Sequence, residues 1–178
     1  TVSAFTRKDI ASTYKLPEQQ VTVIPNAARE IFRRLDVSTK QEVREKHTEG
    51  NEFFLYVGSI HPRKNLVNLL KAFSVFKKRL KSNMKLVLAG RLAWKNNEFI
   101  EILNTYKYRS DVVLTGYLPD DELALLMGSA YALVYPSLLE GFGIPVLEAL
   151  QSGTPVITSV NSAMQEIAND AAIYADPF

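Results

Sequence analysis

The feature that most constrains the fold is a series of short apolar runs that alternates with amphipathic segments from residue 53 onward. The runs are continuous, which is typical of strands that are buried on both faces of a parallel sheet. Most of them end in Gly, Pro or Ser, which favour turns. The predicted strands are Phe53–Val57, Lys85–Ala89, Asp111–Leu114, Tyr131–Tyr135, Pro155–Thr158 and Ala171–Tyr174.

The segments between these runs carry apolar residues at helical spacing. The pattern predicts a helix from Asn65 to Lys81, with Asn65 as its N-cap. Asp120–Glu122 marks the capped start of a second helix, and Pro145 suits the first turn of a third over Ile144–Gln151. Strands that alternate with helices predict an α/β domain with a doubly wound, Rossmann-like parallel sheet.

Residues 1–52 do not follow this alternation. A short helix is predicted to end at Tyr14, and Val21–Ile24 is predicted to form a strand before Pro25. Residues 38–52 are polar and indicate a helix fragment or a surface loop. The sequence contains no Cys, which excludes a thiol nucleophile, a disulfide framework and a Cys-based zinc site.

The net charge of +2 hides an asymmetry along the chain. Residues 1–110 carry 21 basic and 10 acidic side chains, whereas residues 111–178 carry nine acidic side chains and no Lys, Arg or His. Such a basic half is consistent with binding to nucleic acid or to a membrane surface. A non-catalytic nucleic-acid-binding domain is therefore one open interpretation.

Ligands of open parallel sheets bind beyond the carboxyl ends of the strands, so the loops after the predicted strands carry the candidate site. After the first strand, Gly58 lets a ligand approach the backbone. Arg63 and Lys64 then place two cations just before a helix N-terminus, and this combination suits a diphosphate. The alternative is a solvated pair of cations in a surface loop.

The loop after the fourth predicted strand combines two glycines with two carboxylates. Gly141 and Gly143 allow backbone N–H groups to face a phosphate at the helix that begins at Ile144. Glu140 and Glu148 suit the hydroxyls of a sugar, because a carboxylate accepts hydrogen bonds from them. Alternatively, Glu140 is a turn residue and Glu148 is a partner of the helix dipole.

Residues 136–157, PSLLEGFGIPVLEALQSGTPVI, resemble the signature of retaining GT-B glycosyltransferases of family four. Its two glutamates correspond to Glu140 and Glu148, and Val23–Asn26 and Thr115–Asp120 resemble further motifs of that family. The resemblance implies one domain of a two-domain GT-B enzyme. Such an enzyme transfers a sugar from a nucleoside diphosphate sugar to a hydroxyl acceptor and retains the anomeric configuration.

The resemblance also implies roles for individual residues. Arg63, Lys64 and Glu140 are the expected catalytic residues, since the two cations neutralise the diphosphate leaving group and Glu140 contacts the transferred sugar. Glu148 is expected to contact the ribose, and the loop at Tyr117 is expected to face the nucleobase. No Asp-x-Asp motif is present, so neither a metal nor another cofactor is expected. The expected donor-binding residues are Gly58, Arg63, Lys64, Tyr117, Leu118, Glu140, Gly141, Phe142, Gly143, Ile144 and Glu148.

Two positions depart from the family pattern, since Ser59 stands where Arg is frequent and Ala27 stands where Gly is common. Residues 91–97 resemble mannosyltransferases, which favours a GDP-sugar over a UDP-sugar as the donor. The resemblance implies that residues 1–24 are a crossover from a missing N-terminal acceptor domain. Residues 25–178 would then be the donor-binding domain, with a truncated C-terminal tail, and the isolated chain is expected to be inactive.

The expected partners are the nucleotide-sugar donor, the acceptor domain of the same parent chain and a membrane surface beside the Lys-rich helix, but no nucleic acid. The expected location is the cytoplasm, with a peripheral position at the inner face of the membrane as an option. A GT-B sugar-nucleotide epimerase or a phosphorylase-like enzyme is the alternative within the same fold. The pair of glutamates, Glu140 and Glu148, favours the transferase.

Overall fold

Six strands pair in parallel within residues 1–91, 97–160 and 162–178, which are the residues that the computed structural model describes. They are β1 (Phe53–Val57), β2 (Lys85–Ala89), β3 (Val112–Gly116), β4 (Ala132–Tyr135), β5 (Val156–Ser159) and β6 (Ala172–Ala175). The strand order is β3-β2-β1-β4-β5-β6, and it reverses between β1 and β4 as in a doubly wound sheet. The predicted fold class and the six strands predicted from residue 53 onward are confirmed.

Among the residues described, two α-helices precede the first strand, and the later helices connect successive strands on both faces of the sheet. The helices are α1 (Ala4–Tyr14), α2 (Val37–Thr48), α3 (Leu66–Leu80), α4 (Asn97–Asn104), α5 (Asp120–Ser129), α6 (Ile144–Gln151) and α7 (Ala163–Ala168). Right-handed crossovers put α3 and α4 on one face, while α5, α6 and α7 lie on the other. The predicted third helix is confirmed, as are the first two apart from the capping discussed below. None of the helices in the described part of the chain is both long and apolar enough to cross a membrane.

One prediction about local structure is wrong, and another is confirmed in position but not in its hydrogen bond. Val21–Ile24 forms no strand, and Ile24, which is 70% exposed, instead donates its N–H to the carbonyl of Thr1 at 2.7 Å. Asn65 occupies the N-cap position of α3, but its side chain makes no cap hydrogen bond. Its Nδ2 donates instead to the carbonyls of Pro136 and Pro177, because the neighbouring loops offer acceptors beside it.

The acidic start of α5 also differs from the prediction, since Pro119 holds the N-cap position without a side-chain hydrogen bond. Asp120–Glu122 lies within the first turn, where negative charge is favourable to the helix dipole. In the polar segment at residues 38–52, most residues belong to α2, so the helical alternative is the correct one.

The core lies on the central strands, where side chains from both faces are removed from water. Leu55 in β1 and Leu133 in β4 are fully buried, as expected for strands covered by helices on both sides. Phe32, which precedes α2, is also fully buried. The chain outside the sheet therefore contributes to the core and is fixed against it.

The loops after β1 and β2 approach each other closely at the carboxyl edge of the sheet. The N–H of Gly58 donates to the carbonyl of Ala89 at 2.9 Å, and a Cβ atom on Gly90 would lie 1.9 Å from the carbonyl oxygen of Gly58. Only glycine fits at position 90, because the neighbouring atom belongs to the backbone and cannot turn aside.

We expect Gly90→Ala to lower the free energy of unfolding by about 3 kcal/mol or more, because overpacking against backbone forces the two loops apart. Gly116→Ala is the matched control, since Gly116 also has a positive φ, of 70°, but nothing lies within 4 Å of the added Cβ. That control is expected to cost only about 1 kcal/mol. Urea denaturation measures both variants, and equal losses would contradict the close approach as the cause.

Candidate functional site

The loops that follow β1, β2 and β3 enclose a mainly apolar cleft at the carboxyl edge of the sheet. Its volume is about 340 Å³, and its lining includes Gly58, Tyr117 and Leu118, three of the predicted site residues. Arg91 lies over the ring of Tyr117, with its guanidinium carbon 4.4 Å from the ring centroid. This cleft has the shape and the stacking surfaces that suit a planar ring.

A first charged cluster joins the loop after β1 to the loop after β4. Lys64 Nζ lies 2.6 Å from Glu140 Oε1 and also donates to the hydroxyl of Tyr135 at 2.9 Å. Arg63 Nη1 lies 3.0 Å from the same Oε1 atom and donates to the carbonyl of Leu139. The structure therefore brings together Arg63, Lys64 and Glu140, the three predicted catalytic residues.

The charge state of Glu140 depends on this cluster. Burial alone would raise the pKa of Glu140, but the hydrogen bond and the positive charge of Lys64 lower it below the ordinary value. Both residues are buried, so their charges interact with little screening by water. Glu140 is consequently ionised at neutral pH and is held in one orientation.

A second charged cluster surrounds Glu148 in α6. Arg29 donates to Glu148 Oε1 from Nη2 at 2.9 Å and from Nε at 3.2 Å, and its Nη1 atom pairs with Asp120 at the start of α5. Burial raises the pKa of Glu148 above its ordinary value, although Arg29 acts in the opposite direction. Asp120 also lines the apolar cleft, so this cluster and the cleft are contiguous.

Sequence reasoning missed Arg29. It lies 119 residues before Glu148 and belongs to no motif or apolar pattern that points to a site. The available signal is Glu148 itself, since a carboxylate that is buried in a helix needs a cation beside it.

Two side chains of the N-terminal segment hold the glycine-containing loop after β4 by hydrogen bonds. Ser3 Oγ and Thr6 Oγ1 donate to the carbonyl of Gly141 at 2.7 Å and 2.9 Å. Because a trans peptide is planar, this contact turns the N–H of Phe142 away from α1.

The start of α6 has no side-chain cap. Gly143 occupies its N-cap position with a φ of 101°. Pro145 has no N–H and Val146 donates its N–H to the carbonyl of Gly143 at 2.9 Å, so the N–H of Ile144 is the first-turn group that can face an anion.

Three expectations from the sequence concern the remaining positions. Ser59, at the position where the family pattern often has Arg, lines the cleft. The guanidinium of Arg63, four residues later in the same loop, lies beside Glu140. Residues 92–96, most of the segment that resembles mannosyltransferases, lie outside the described residues. Across the described ranges, no group of three or more His, Cys, Asp or Glu side chains could hold a metal ion. Metal independence remains a prediction.

The family of proteins described as glycosyl transferases group 1 matches residues 37–176. O-antigen chain mannosyltransferase B of Escherichia coli is 29% identical over 178 residues, which cover 99% of this chain and 47% of that protein. O-antigen chain mannosyltransferase RfbU of Salmonella typhimurium is 31% identical over 177 residues, which cover 99% of this chain and 46% of that protein. The chain therefore spans about half the length of these relatives.

A solved structure has the same fold. The crystal structure of Anabaena Alr3699/HepE in complex with UDP and glucose superimposes with a TM-score of 0.85 over 98% of this chain and 48% of that chain. The two sequences are 16% identical, so the likeness concerns the fold. The α/β domain of this chain corresponds to about half of that protein.

The two glutamates have opposite effects on stability, because their pKa values are shifted from 4.5 in opposite directions. Glu140 stabilises the fold above pH 4.5, and this contribution is lost as the pH falls through its lowered pKa. Glu148 favours the fold when protonated, so stability falls as the pH rises from 4.5 through its raised pKa.

We therefore expect Glu140→Gln to lower the free energy of unfolding at pH 7 by about 3 kcal/mol, because Lys64 stays buried without its counter-ion. Glu148→Gln is the matched control and is expected to leave stability at pH 7 unchanged or raised. Urea denaturation between pH 4 and pH 8 tests both variants. Equal losses at pH 7 would refute the assignment of opposite shifts.

Proposed function

The chain belongs to the glycosyl transferases group 1 family, and on this premise we propose that it is the donor-binding part of a sugar-transferring enzyme. The enzyme would move a sugar from a nucleoside diphosphate sugar to a hydroxyl acceptor with retention of configuration. The observation that carries this proposal is the cluster of Arg63, Lys64 and Glu140 beside the uncapped start of α6. Cations, a backbone N–H and a carboxylate are groups that bind the phosphates and the hydroxyls of a diphosphate-linked sugar.

The cations would stabilise the leaving diphosphate as the glycosidic bond breaks, which is the electrostatic contribution that usually dominates such catalysis. Lys64 is held by Tyr135 as well as by Glu140, so its ammonium group is already oriented. The side chain of Arg63 is 44% exposed, which gives it freedom to turn from Glu140 toward a phosphate. Glu140 would then accept hydrogen bonds from the hydroxyls of the sugar.

We assign the base and the ribose of a nucleotide sugar to two neighbouring parts of the site. The cleft beside Arg91 and Tyr117 would take the nucleobase. Glu148, which is joined to the cleft through Arg29 and Asp120, would accept hydrogen bonds from the ribose. The complex of Alr3699/HepE with UDP and glucose supports a nucleotide-sugar ligand for a domain of this fold.

The names of the two similar relatives, both O-antigen chain mannosyltransferases, favour a mannosyl donor such as GDP-mannose. A UDP-sugar is the second candidate. We further propose that residues 1–24 lead from an acceptor domain of a longer protein, which works in the cytoplasm beside the membrane. Exposed Lys71, Lys78 and Arg79 on α3 would face the anionic lipid.

The proposal is tested by calorimetry of this chain with GDP, UDP and the corresponding nucleosides. We expect this chain to bind GDP more tightly than UDP. We expect Arg63→Ala to lower the affinity for GDP about tenfold and to leave the affinity for guanosine nearly unchanged, because only the diphosphate contacts the guanidinium. Arg79→Ala is the matched control, since Arg79 is exposed in the last turn of α3. An equal loss for GDP and guanosine would count against the phosphate contact.

A further inference from the structure

Arg29 commits its guanidinium to two carboxylates that come from different helices. Nε and Nη2 both donate to Glu148 in α6, while Nη1 pairs with Asp120 in α5. The two hydrogen bonds to Glu148 end on the same oxygen atom, Oε1. Arg29 therefore binds one oxygen of this carboxylate and makes no hydrogen bond to Oε2.

The position of Arg29 is fixed by its surroundings. Gln151, in the same helix as Glu148, donates from Nε2 to the carbonyls of Arg29 and Phe32 at 2.9 Å and 2.8 Å. The guanidinium carbon lies 4.9 Å from the ring centroid of Phe32, which is fully buried. The segment that carries Arg29 is thus hydrogen-bonded to α6, and its guanidinium is oriented by its contacts with Glu148, Asp120 and Phe32.

Glu148 needs such a partner to bind hydroxyl groups. Its side chain is 3% exposed, and a buried carboxylate without a cation takes up a proton. An ionised Oε2 can accept from two adjacent hydroxyls through its lone pairs, whereas a protonated Oε2 would donate its hydrogen and could not accept from both. The charged groups that face Glu148 are Arg29, which favours the ionised form, and Asp120, which opposes it.

We propose that Arg29 is a positioning residue for nucleotide binding, which holds the carboxylate of Glu148 through Oε1 and leaves Oε2 to the ribose hydroxyls. The ion pair with Asp120 links this carboxylate to the wall of the base cleft, so Arg29 aligns the ribose contact with the base contact. The inference rests on the proposed function, because it requires Glu148 to meet the ribose.

The test is calorimetry of this chain with GDP and UDP and with their 2′,3′-dideoxy analogues, which lack the ribose hydroxyls. Of GDP and UDP, the one that the parent chain binds more tightly is used for the variants. We expect Arg29→Met to lower the affinity for it about tenfold, and the affinity for its dideoxy analogue less than about twofold. The loss should be larger at pH 6 than at pH 8.5, because removing Arg29 removes the cation that lowers the pKa of Glu148, and more of this carboxyl is then protonated at the lower pH. Arg29→Lys keeps the charge and should restore part of the affinity.

A double-mutant cycle separates an action through Glu148 from a general effect on the fold. In the Glu148→Gln background, Arg29→Met should cause no further loss of affinity. Arg33→Met is the matched control, because Arg33 is an exposed Arg of the same segment, and it should bind like the parent chain. Thermal denaturation checks that each variant is folded.

Three results would overturn the inference while the proposed function stands. The first is that Arg29→Met binds the nucleoside diphosphate as tightly as the parent chain does. The second is that Arg29→Met weakens the dideoxy analogue as much as the diphosphate itself. The third is that Arg29→Met lowers the affinity as much in the Glu148→Gln background as in the parent chain. A parent chain that binds neither GDP nor UDP would overturn the proposed function and the inference together. Parent binding that Glu148→Gln does not weaken would refute the ribose contact, and with it the role of Arg29.

Discussion

The site depends on the parallel direction of the strands, which brings every loop that follows a strand to one edge of the sheet. The strand order reverses between β1 and β4, so these two strands lie side by side. The loop after β1 carries Lys64 and the loop after β4 carries Glu140, and for this reason the two residues meet although they are 76 positions apart. The central ion pair is therefore a consequence of the topology.

Glu140, in the loop after β4, and Glu148, in α6, have pKa values that are shifted in opposite directions, because the cations beside them differ. Glu140 has two cations, one of them buried, and these outweigh the effect of burial on its pKa. Glu148 is less exposed and has only the half-exposed Arg29 among the cations that shift its pKa, so burial prevails. The position of each cation, and not the type of acid, decides which carboxylate is easily protonated.

Sequence patterns predict the parts of this structure that depend on local periodicity. The strands that carry continuous apolar runs and the amphipathic helix α3 are of this kind. The run Val21–Ile24 is wrongly predicted as a strand, because its β-branched composition resembles one but none of the described strands pairs with it. Arg29 and Ser3 could not be predicted, since their partners Glu148 and Gly141 lie more than 100 residues away and leave no local pattern.

The charge asymmetry along the chain also acquires a structural explanation. Cations from the first 110 residues pair with acids from the remainder, as in Lys64–Glu140, Arg29–Glu148, Lys77–Asp111 and Lys46–Glu122. The two halves of the sequence thus supply counter-ions to each other within one fold, and the asymmetry no longer requires nucleic acid as its explanation. At Glu140 and Glu148, these internal pairs lie at the proposed ligand site. Under the proposed function, a diphosphate would have to compete with Glu140 for its cations, whereas ribose hydroxyls would add to Glu148 without displacing Arg29.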